Sequence, residues 1–182
     1  QCLKTGALVI NEIDYDMPGA GDALEFVELY NASPDPVSLA GMEIVLINGS
    51  GGGAVEYNRF ALPDVALASG DFFVLCGNAA LVPNCDLDVA PDTDLIQNGA
   101  PDAVALVLGT AILDTVSYEG DTGAPYTEGQ GVLQVDPNVA GLSLSRKLDG
   151  VDTNVNLDDF AIRCVTAGLP NSPCSTSRLA DT

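Results

Sequence analysis

An acidic segment near the carboxyl end of the chain carries residue types that could bind a divalent cation. Its oxygen-bearing side chains are Asp149, Asp152, Asn154, Asn156, Asp158 and Asp159. Alternation along the segment would direct several oxygens to one point if the backbone curls, and Ca²⁺ takes about six to eight oxygen ligands. The segment is not an EF-hand, because Leu157 and Arg163 stand where that loop needs its glycine and its bidentate glutamate. Two interpretations follow: a calcium loop, or a series of Asx turns that only shape the segment.

A second acidic group surrounds a Pro-Gly turn near the amino end of the chain. Its members are Asp14, Asp16, Asp22 and Glu25. In the strand predicted after this turn, Glu25 and Glu28 have opposite parity and are expected on opposite faces of a sheet. A carboxylate that becomes buried in this way needs a partner, such as Arg146 or a cation. We expect a structural ion pair here, with a bound cation as the alternative.

The composition argues against an enzyme. The chain has no histidine, which excludes Ser-His-Asp and Cys-His mechanisms and the common zinc sites that use histidine. Paired carboxylates could in principle hydrolyse glycosides. However, 26 acidic residues place some pair at a suitable separation in any fold, and only five Tyr and five Phe are present to bind a sugar. We predict a protein without catalysis and without a required cofactor, calcium being the one ion that the acidic segments could bind.

Charge and hydropathy limit the classes of partner. The chain has 26 acidic and 6 basic residues, which gives a formal net charge of -20. Binding to a nucleic-acid backbone needs a basic face, which this composition does not supply. The longest uncharged apolar run, Ala103–Leu113, is too short to cross a bilayer and contains Gly109. We therefore predict neither nucleic-acid binding nor membrane insertion.

The cysteines form two closely spaced pairs and one remainder. They are Cys2, Cys76, Cys85, Cys164 and Cys174. Each pair flanks a segment rich in Gly, Pro and Asn, and short-loop disulfides of this kind are typical of exported proteins. We predict the disulfides Cys76–Cys85 and Cys164–Cys174, which leaves Cys2 either for a bond to another chain or as a free thiol. A metal site built from four cysteines and a bond from Cys2 to Cys164 or Cys174 remain alternatives, although the first lacks any C-x-x-C pair.

Short β-branched and aromatic runs, separated by Gly, Pro, Asn and Asp, predict an all-β fold. The predicted strands are Ala7–Ile13, Leu24–Tyr30, Met42–Asn48, Val55–Leu62, Phe72–Cys76, Ala103–Leu108, Ile112–Tyr118 and Leu142–Lys147. No segment shows a sustained helical period, and only 78–82 could form a single helical turn. Segments 84–101 and 120–141 are predicted to be long loops. Eight short strands with turn-rich connections favour a β-sandwich.

Motifs along most of the chain occur in an order and spacing that one family shares. They are Ile10–Asp16, Glu25–Asn31, Val37–Met42, Phe60–Pro63, Gly70 with Phe72–Cys76, Leu113–Tyr118, Leu142–Arg146, Asp149–Asn154, Asp158–Phe160 and Thr166–Asn171. Together these motifs resemble the lamin tail domain family, in the type found in bacterial extracellular proteins. The chain departs from the family at Met42, where a tryptophan is common, and in its two long loops.

The resemblance implies an immunoglobulin-like β-sandwich with long loop excursions and no chemistry of its own. It places the domain at residues 7–171, between an N-terminal extension (1–6) and a Ser/Thr-rich tail (172–182). With the predicted disulfides, it implies an extracellular or cell-surface location. We expect a structural or adhesive building block that binds copies of itself or another surface protein. The alternative is a calcium-dependent glycan- or protein-binding module of a larger exported protein.

Overall fold

The computed structural model describes residues 7–18 and 21–174, which form two β-sheets and a short two-stranded ribbon. The strands are β1 (Leu8–Asp14), β2 (Phe26–Asn31), β3 (Val37–Ser38), β4 (Met42–Asn48), β5 (Val55–Ala61), β6 (Ala66–Leu67), β7 (Phe72–Cys76), β8 (Leu87–Asp88), β9 (Asp102–Leu108), β10 (Ala111–Tyr118), β11 (Leu142–Arg146) and β12 (Phe160–Cys164). A 3₁₀ turn lies at Ser50–Gly52, and one short α-helix, α1, spans Asn156–Asp159 within the described residues.

The strand order joins both ends of the described chain in one sheet. This sheet runs β12-β11-β1-β2-β7-β8, while the second runs β10-β9-β4-β5 and the ribbon pairs β3 with β6. Pairing is antiparallel throughout, except between β7 and β8. Because β1 is hydrogen-bonded to both β2 and β11, the acidic segments from the two ends of the chain belong to neighbouring parts of the structure.

The main core lies between the two sheets. Ile10 on β1 and Leu29 on β2 pack in the same buried cluster as Ile44 on β4 and Leu106 on β9. Inward side chains alternate with outward ones along each strand, as the pleat of a strand requires. Each such aliphatic side chain contributes about 1.5–3 kcal/mol when it is fully buried. Two facing β-sheets around one core confirm the predicted all-β sandwich.

The outer face of the six-stranded sheet is covered by the end of the described chain. Residues 165–171, here called the C-terminal strap, cross this face beyond β12. Under the strap lies a small apolar cluster that includes Phe26, Val74 and Ala167. The same face also carries the buried carboxyl groups of Glu12 and Glu28. The strap therefore converts a face that would normally be solvated into a second buried layer.

Local sequence signals located the long strands well and the short elements poorly. The predicted bounds of Met42–Asn48 and Phe72–Cys76 agree with β4 and β7. The eight predicted strands did not include β12 or the two-residue strands, and α1 lies inside the predicted calcium segment. The expected turn at 78–82 contains one helical hydrogen bond, from the Val82 amide to the Asn78 carbonyl. Two-residue strands lack a readable period, because their pairing is decided by distant residues.

Candidate functional site

Two disulfides fix loops next to β7 and β12, which lie toward opposite edges of the six-stranded sheet. The Cys76–Cys85 bridge joins Cα atoms 5.9 Å apart, and the Cys164–Cys174 bridge joins Cα atoms 4.9 Å apart. Both predicted pairings are confirmed. The alternatives of a four-cysteine metal site and of a bond from Cys2 to the last pair are wrong, because all four cysteines are used. Cys2 itself lies outside the described residues.

Arg146 is the centre of the buried polar structure between the sheets. Its side chain is 0% exposed, and its Nε donates to the Ile10 carbonyl at 2.7 Å. Nη2 donates to Asp114 Oδ2 at 3.0 Å, and Nη1 donates to Asp159 Oδ2 at 3.2 Å. The guanidinium also lies over the ring of Phe160, 4.6 Å from its centroid. A buried cation satisfied on this many sides holds β1, β10 and β11 in one register.

A three-carboxylate group lies next to this guanidinium. Ligand oxygens of Asp114, Glu128 and Asp152 all lie within 4.8 Å of one another. Oxygens on opposite sides of one Ca²⁺ are separated by about 5 Å, given its bond lengths of about 2.4 Å. Burial, reinforced by the negative charges of Asp114 and Asp152, raises the pKa of Glu128 to about 8. Burial also raises the pKa of Asp114 to about 6, against the opposing effect of Arg146. The geometry makes this group the candidate metal centre.

Of the six residues predicted to bind calcium, the structure brings only Asp152 into this group. Asp149 Oδ1 accepts from Asn11 Nδ2 and the Asn171 amide, while Asp159 accepts from Thr153 and Arg146. The other three have different places and partners: Asn154 donates its amide to Asp152, Asn156 binds the backbone of β10, and Asp158 is exposed. Within residues 7–18 and 21–174, no three of the four aspartates 149, 152, 158 and 159 have ligand oxygens within 4.8 Å of one another.

The sequence did not point to Asp114 or Glu128 as partners of Asp152. Asp114 occupies a strand position at a β-bulge, where β10 shifts register between Ile112 and Asp114. Glu128 belongs to the long loop 120–141, which has no periodic pattern. One sequence feature could have predicted a buried acid near Arg146. An arginine on a strand that faces the core needs a carboxylate as its partner.

The second acidic group is partly assembled around one asparagine. Asn98 Nδ2 donates to Asp16 Oδ1 at 3.1 Å and to Asp22 Oδ2 at 2.9 Å. Asp14 is 1% exposed, and its Oδ1 has no hydrogen-bond partner among the described residues. Burial raises the pKa of Asp14 well above its usual range, and the nearby Asp136 raises it further. Asp136, in the same unpatterned loop as Glu128, was missed by the sequence.

Three buried glutamates hold loops through backbone amides, not through an ion pair. Glu25 accepts from the amides of residues 95 and 96, which fixes the first long loop against β2. Glu12 accepts from both the amide and the hydroxyl of Thr166, at 2.9 and 2.6 Å. Glu28 accepts from the Gly168 amide at 2.7 Å and from Asn11 Nδ2 at 2.9 Å. The structural ion pair expected for Glu25 or Glu28 is therefore wrong, because Arg146 pairs with Asp114, Asp152 and Asp159 instead.

The cost of this arrangement appears in the pKa values of the same glutamates. Burial raises the pKa of Glu25 and of Glu28 to about 8, although the hydrogen bonds oppose the shift. Burial likewise raises the pKa of Glu12. Glu12 and Glu28 are direct cross-strand partners on β1 and β2, and like charges in that position repel. These acids therefore serve the strap and the loops, and none has a free face typical of a catalytic acid.

The fold and its buried acids define an immunoglobulin-like β-sandwich module whose polar interior holds its own loops. The Lamin Tail Domain family model matches residues 3–120, which include β1 to β10. The chain belongs to the lamin tail domain family. This is a non-enzymatic family of immunoglobulin-like domains. The strands β11 and β12, beyond the match, complete the six-stranded sheet.

A solved structure supports the same architecture. The crystal structure of a DUF4876 family protein from Bacteroides thetaiotaomicron superposes with a TM-score of 0.58 at 15% identity, covering 92% of this chain and 72% of that chain. At this identity the likeness concerns the fold alone. No curated protein matches the sequence. None of the helices among the described residues has the length and apolar character needed to cross a membrane.

Proposed function

We propose that this protein is an exported, non-catalytic building block of a cell-surface or extracellular assembly. The observation that carries the proposal is the edge strand β5, seven residues long and paired only with β4 within the part of the chain that the structure describes. An unpaired edge of this length can accept an extended segment from a neighbouring chain. The two disulfides and the hydrogen-bonded loops give the module the rigidity that a building block needs. The disulfides also favour an oxidising compartment.

The hydrogen-bond register shows which residues of β5 face outward. The Leu62 amide donates to the Met42 carbonyl, so residues 58 and 60, of the same parity, also face β4. The backbone groups of Arg59 and Ala61 therefore point away from β4. The Arg59 amide is already occupied by the side chain of Asn58, at 3.0 Å. Ala61 is exposed and is the position at which an incoming strand would pair.

This geometry gives an experiment that separates folding from assembly. The molar mass of the native protein is measured by light scattering without reductant, for the wild type and for Ala61→Pro. Proline removes an outward amide without touching the β4 ladder, so the fold should persist while a polymer becomes a monomer. Ala61→Ser keeps the amide and should leave the polymer unchanged. A monomeric wild type, or a polymer unaffected by Ala61→Pro, would refute the edge as the assembly surface.

We propose the N-terminal extension, residues 1–6, as the segment that pairs with the edge strand of a neighbour; it lies outside the described residues. Deletion of residues 1–6 should abolish assembly if this segment pairs with the edge of a neighbour. Cys2→Ser distinguishes strand exchange from a disulfide between chains. A disulfide-linked assembly would be lost both in this variant and on reduction of the wild type, whereas strand exchange would survive both. If the assembly survives the deletion, residues 1–6 are not the segment that pairs with the edge strand.

A second candidate function is a calcium-dependent binding module. The observation that favours it is the group formed by Asp114, Glu128 and Asp152, with ligand oxygens within 4.8 Å of one another. Asp114, Asp152 and Asp159 form ion pairs with the one guanidinium of Arg146, so the carboxylates around it outnumber its positive charge. Equilibrium dialysis at millimolar Ca²⁺ should then find one bound ion, lost in Glu128→Gln and kept in the exposed control Glu56→Gln. No bound calcium in the wild type would end this candidate.

A further inference from the structure

Two Asn-Gly pairs lie next to one buried carboxyl group. They are Asn48-Gly49, at the end of β4, and Asn98-Gly99, in the first long loop. The carboxyl group belongs to Asp102, the first residue of β9, which is 0% exposed. An asparagine followed by glycine is prone to cyclise, because glycine has no side chain to hinder the approach of its amide nitrogen to the asparagine side chain.

The two glycines meet this carboxyl group in different ways. The Gly49 amide donates to Asp102 Oδ1 at 2.9 Å, and a Cβ on Gly49 would collide with the Pro101 carbonyl oxygen. Its nitrogen is therefore already bonded and its backbone tightly packed. Asp102 Oδ2, in contrast, forms no complete hydrogen bond within the described part of the chain, and a Cβ on Gly99 would lie 3.2 Å from it. Oδ2 is thus an unused acceptor beside the second glycine.

The environment of Asp102 suits it to take a proton from the Gly99 amide. Burial raises the pKa of Asp102 to about 6, although the amides of Gly49 and Gly99 act in the opposite direction. A carboxyl group with this pKa is ionised at neutral pH, yet it is a stronger base than an ordinary aspartate. Asn98 and Gly99 are exposed, so water has access to the reacting atoms.

We propose that Asn98 is a self-modification site, at which the Gly99 amide nitrogen attacks the side-chain carbonyl carbon with Asp102 as general base. The Gly99 N–H proton passes to Asp102 Oδ2 while the nitrogen forms a bond to Asn98 Cγ. The Cγ–Nδ2 bond then breaks, and ammonia leaves with a proton returned through solvent, which restores the Asp102 carboxylate. Water opens the resulting succinimide ring to aspartate or isoaspartate, so the net reaction consumes one water and releases one ammonia.

The modification removes a contact between the first long loop and the turn before β2. Asn98 Nδ2 donates to Asp16 Oδ1 at 3.1 Å and to Asp22 Oδ2 at 2.9 Å. After the reaction this donor is gone, and a third carboxylate faces the other two. Like charges this close repel, whereas the two loop amides bonded to Glu25 keep their acceptor. The reaction therefore loosens one end of the loop and leaves the sandwich in place.

The experiment follows both asparagines in the native protein at neutral pH by peptide mass spectrometry. Asn98 should convert with time, whereas Asn48 should remain an amide. The reference is a blocked peptide of residues 96–100, in which the same Asn-Gly pair has no neighbouring base. Conversion in the native protein should be about tenfold faster than in the peptide. Equal or slower conversion in the native protein overturns the proposal, and this comparison needs no variant to fold.

Three variants test the base and the effect on the loop. Asp102→Asn keeps an acceptor for the Gly49 amide but not the base, so it should slow conversion of Asn98 about tenfold. The control Asp92→Asn removes a charge from an exposed position in the same loop and should leave the rate within about twofold. An equal rate loss in both variants, or no slowing in Asp102→Asn, overturns the proposal.

The third variant, Asn98→Asp, mimics the product. Hydrogen exchange of the Asp94 amide, which donates to the Asp22 carbonyl, should become faster in this variant. Unchanged exchange there would overturn the loosening of the loop.

Discussion

Replacing Arg146 with methionine should be among the most damaging single substitutions in this protein. The guanidinium is fully buried, forms ion pairs with Asp114 and Asp159, and donates to the carbonyls of residues 10 and 151. Methionine retains much of the apolar volume but leaves two buried carboxyl groups without a counter-charge. Removing one partner of a buried pair costs about 3–5 kcal/mol. A loss of this size is a large fraction of the total stability of a domain.

Urea unfolding with both disulfides intact measures this loss directly. The control is Arg59→Met, because Arg59 is exposed on β5 and its pairs with Glu43 and Glu56 are screened by solvent. Adding Asp114→Asn to Arg146→Met should recover part of the loss, since asparagine can still accept from the Ile10 amide without its charge. A loss below about 1 kcal/mol, or a double variant no more stable than the single one, would refute the central role given to this ion cluster.

Three further predictions concern the acids, a disulfide and a glycine. The free energy of unfolding should fall as pH rises from about 5 to about 9. The pKa of Glu28 is raised to about 8, so the folded state binds more protons than the unfolded state in this window. Glu28→Gln should flatten the slope of stability against pH, and an unchanged slope in a urea series across pH would contradict this assignment. Cys85→Ser removes the disulfide between residues separated by nine positions, and it should lower the free energy of unfolding by about 2–3 kcal/mol in thermal unfolding. A loss near zero would mean that the loop is held by its hydrogen bonds alone. Gly150→Ala should lower the melting temperature by several degrees, because the φ of Gly150 is +68° and a Cβ would lie 2.6 Å from Tyr30. The control is Gly109→Ala, because Gly109 has a φ of +60° but a Cβ there would meet no atom within 4 Å. This control has the backbone cost without the clash, so it should lower the melting temperature less.

The strands that could be predicted are those whose own residues carry the period of a sheet. β4, with the alternating inward residues Ile44 and Leu46, shows its bounds in its own sequence. β12 carries Arg163 and follows an acidic segment, so its local pattern was too weak to be recognised. Its place at the sheet edge comes from pairing with β11, where Leu144 lies opposite Ile162. Pairing of this kind depends on chain geometry that no short window contains.

Some features of the candidate site could be predicted from the sequence, and others could not. Acidity, the two disulfides and the absence of histidine could be read directly, because they are properties of residue type and spacing. The assembly of Asp114, Glu128 and Asp152 could not, since the three come from a bulged strand, an unpatterned loop and the acidic segment. Only the packing of the two sheets places these carboxyl groups around one arginine.

The sequence by itself determined an acidic, disulfide-bonded β-sandwich, because hydrophobic alternation, turn residues and cysteine spacing are local. Its motifs, taken together, showed the resemblance to the lamin tail domain family. The tertiary structure decided the roles of the acids. Glu12, Glu25 and Glu28 became acceptors for loop amides, and Asp14 was buried with its Oδ1 unpartnered among the described residues. The physical reason is that the state of a carboxyl group depends on burial and on the donors around it, and both are set by residues far away in the chain.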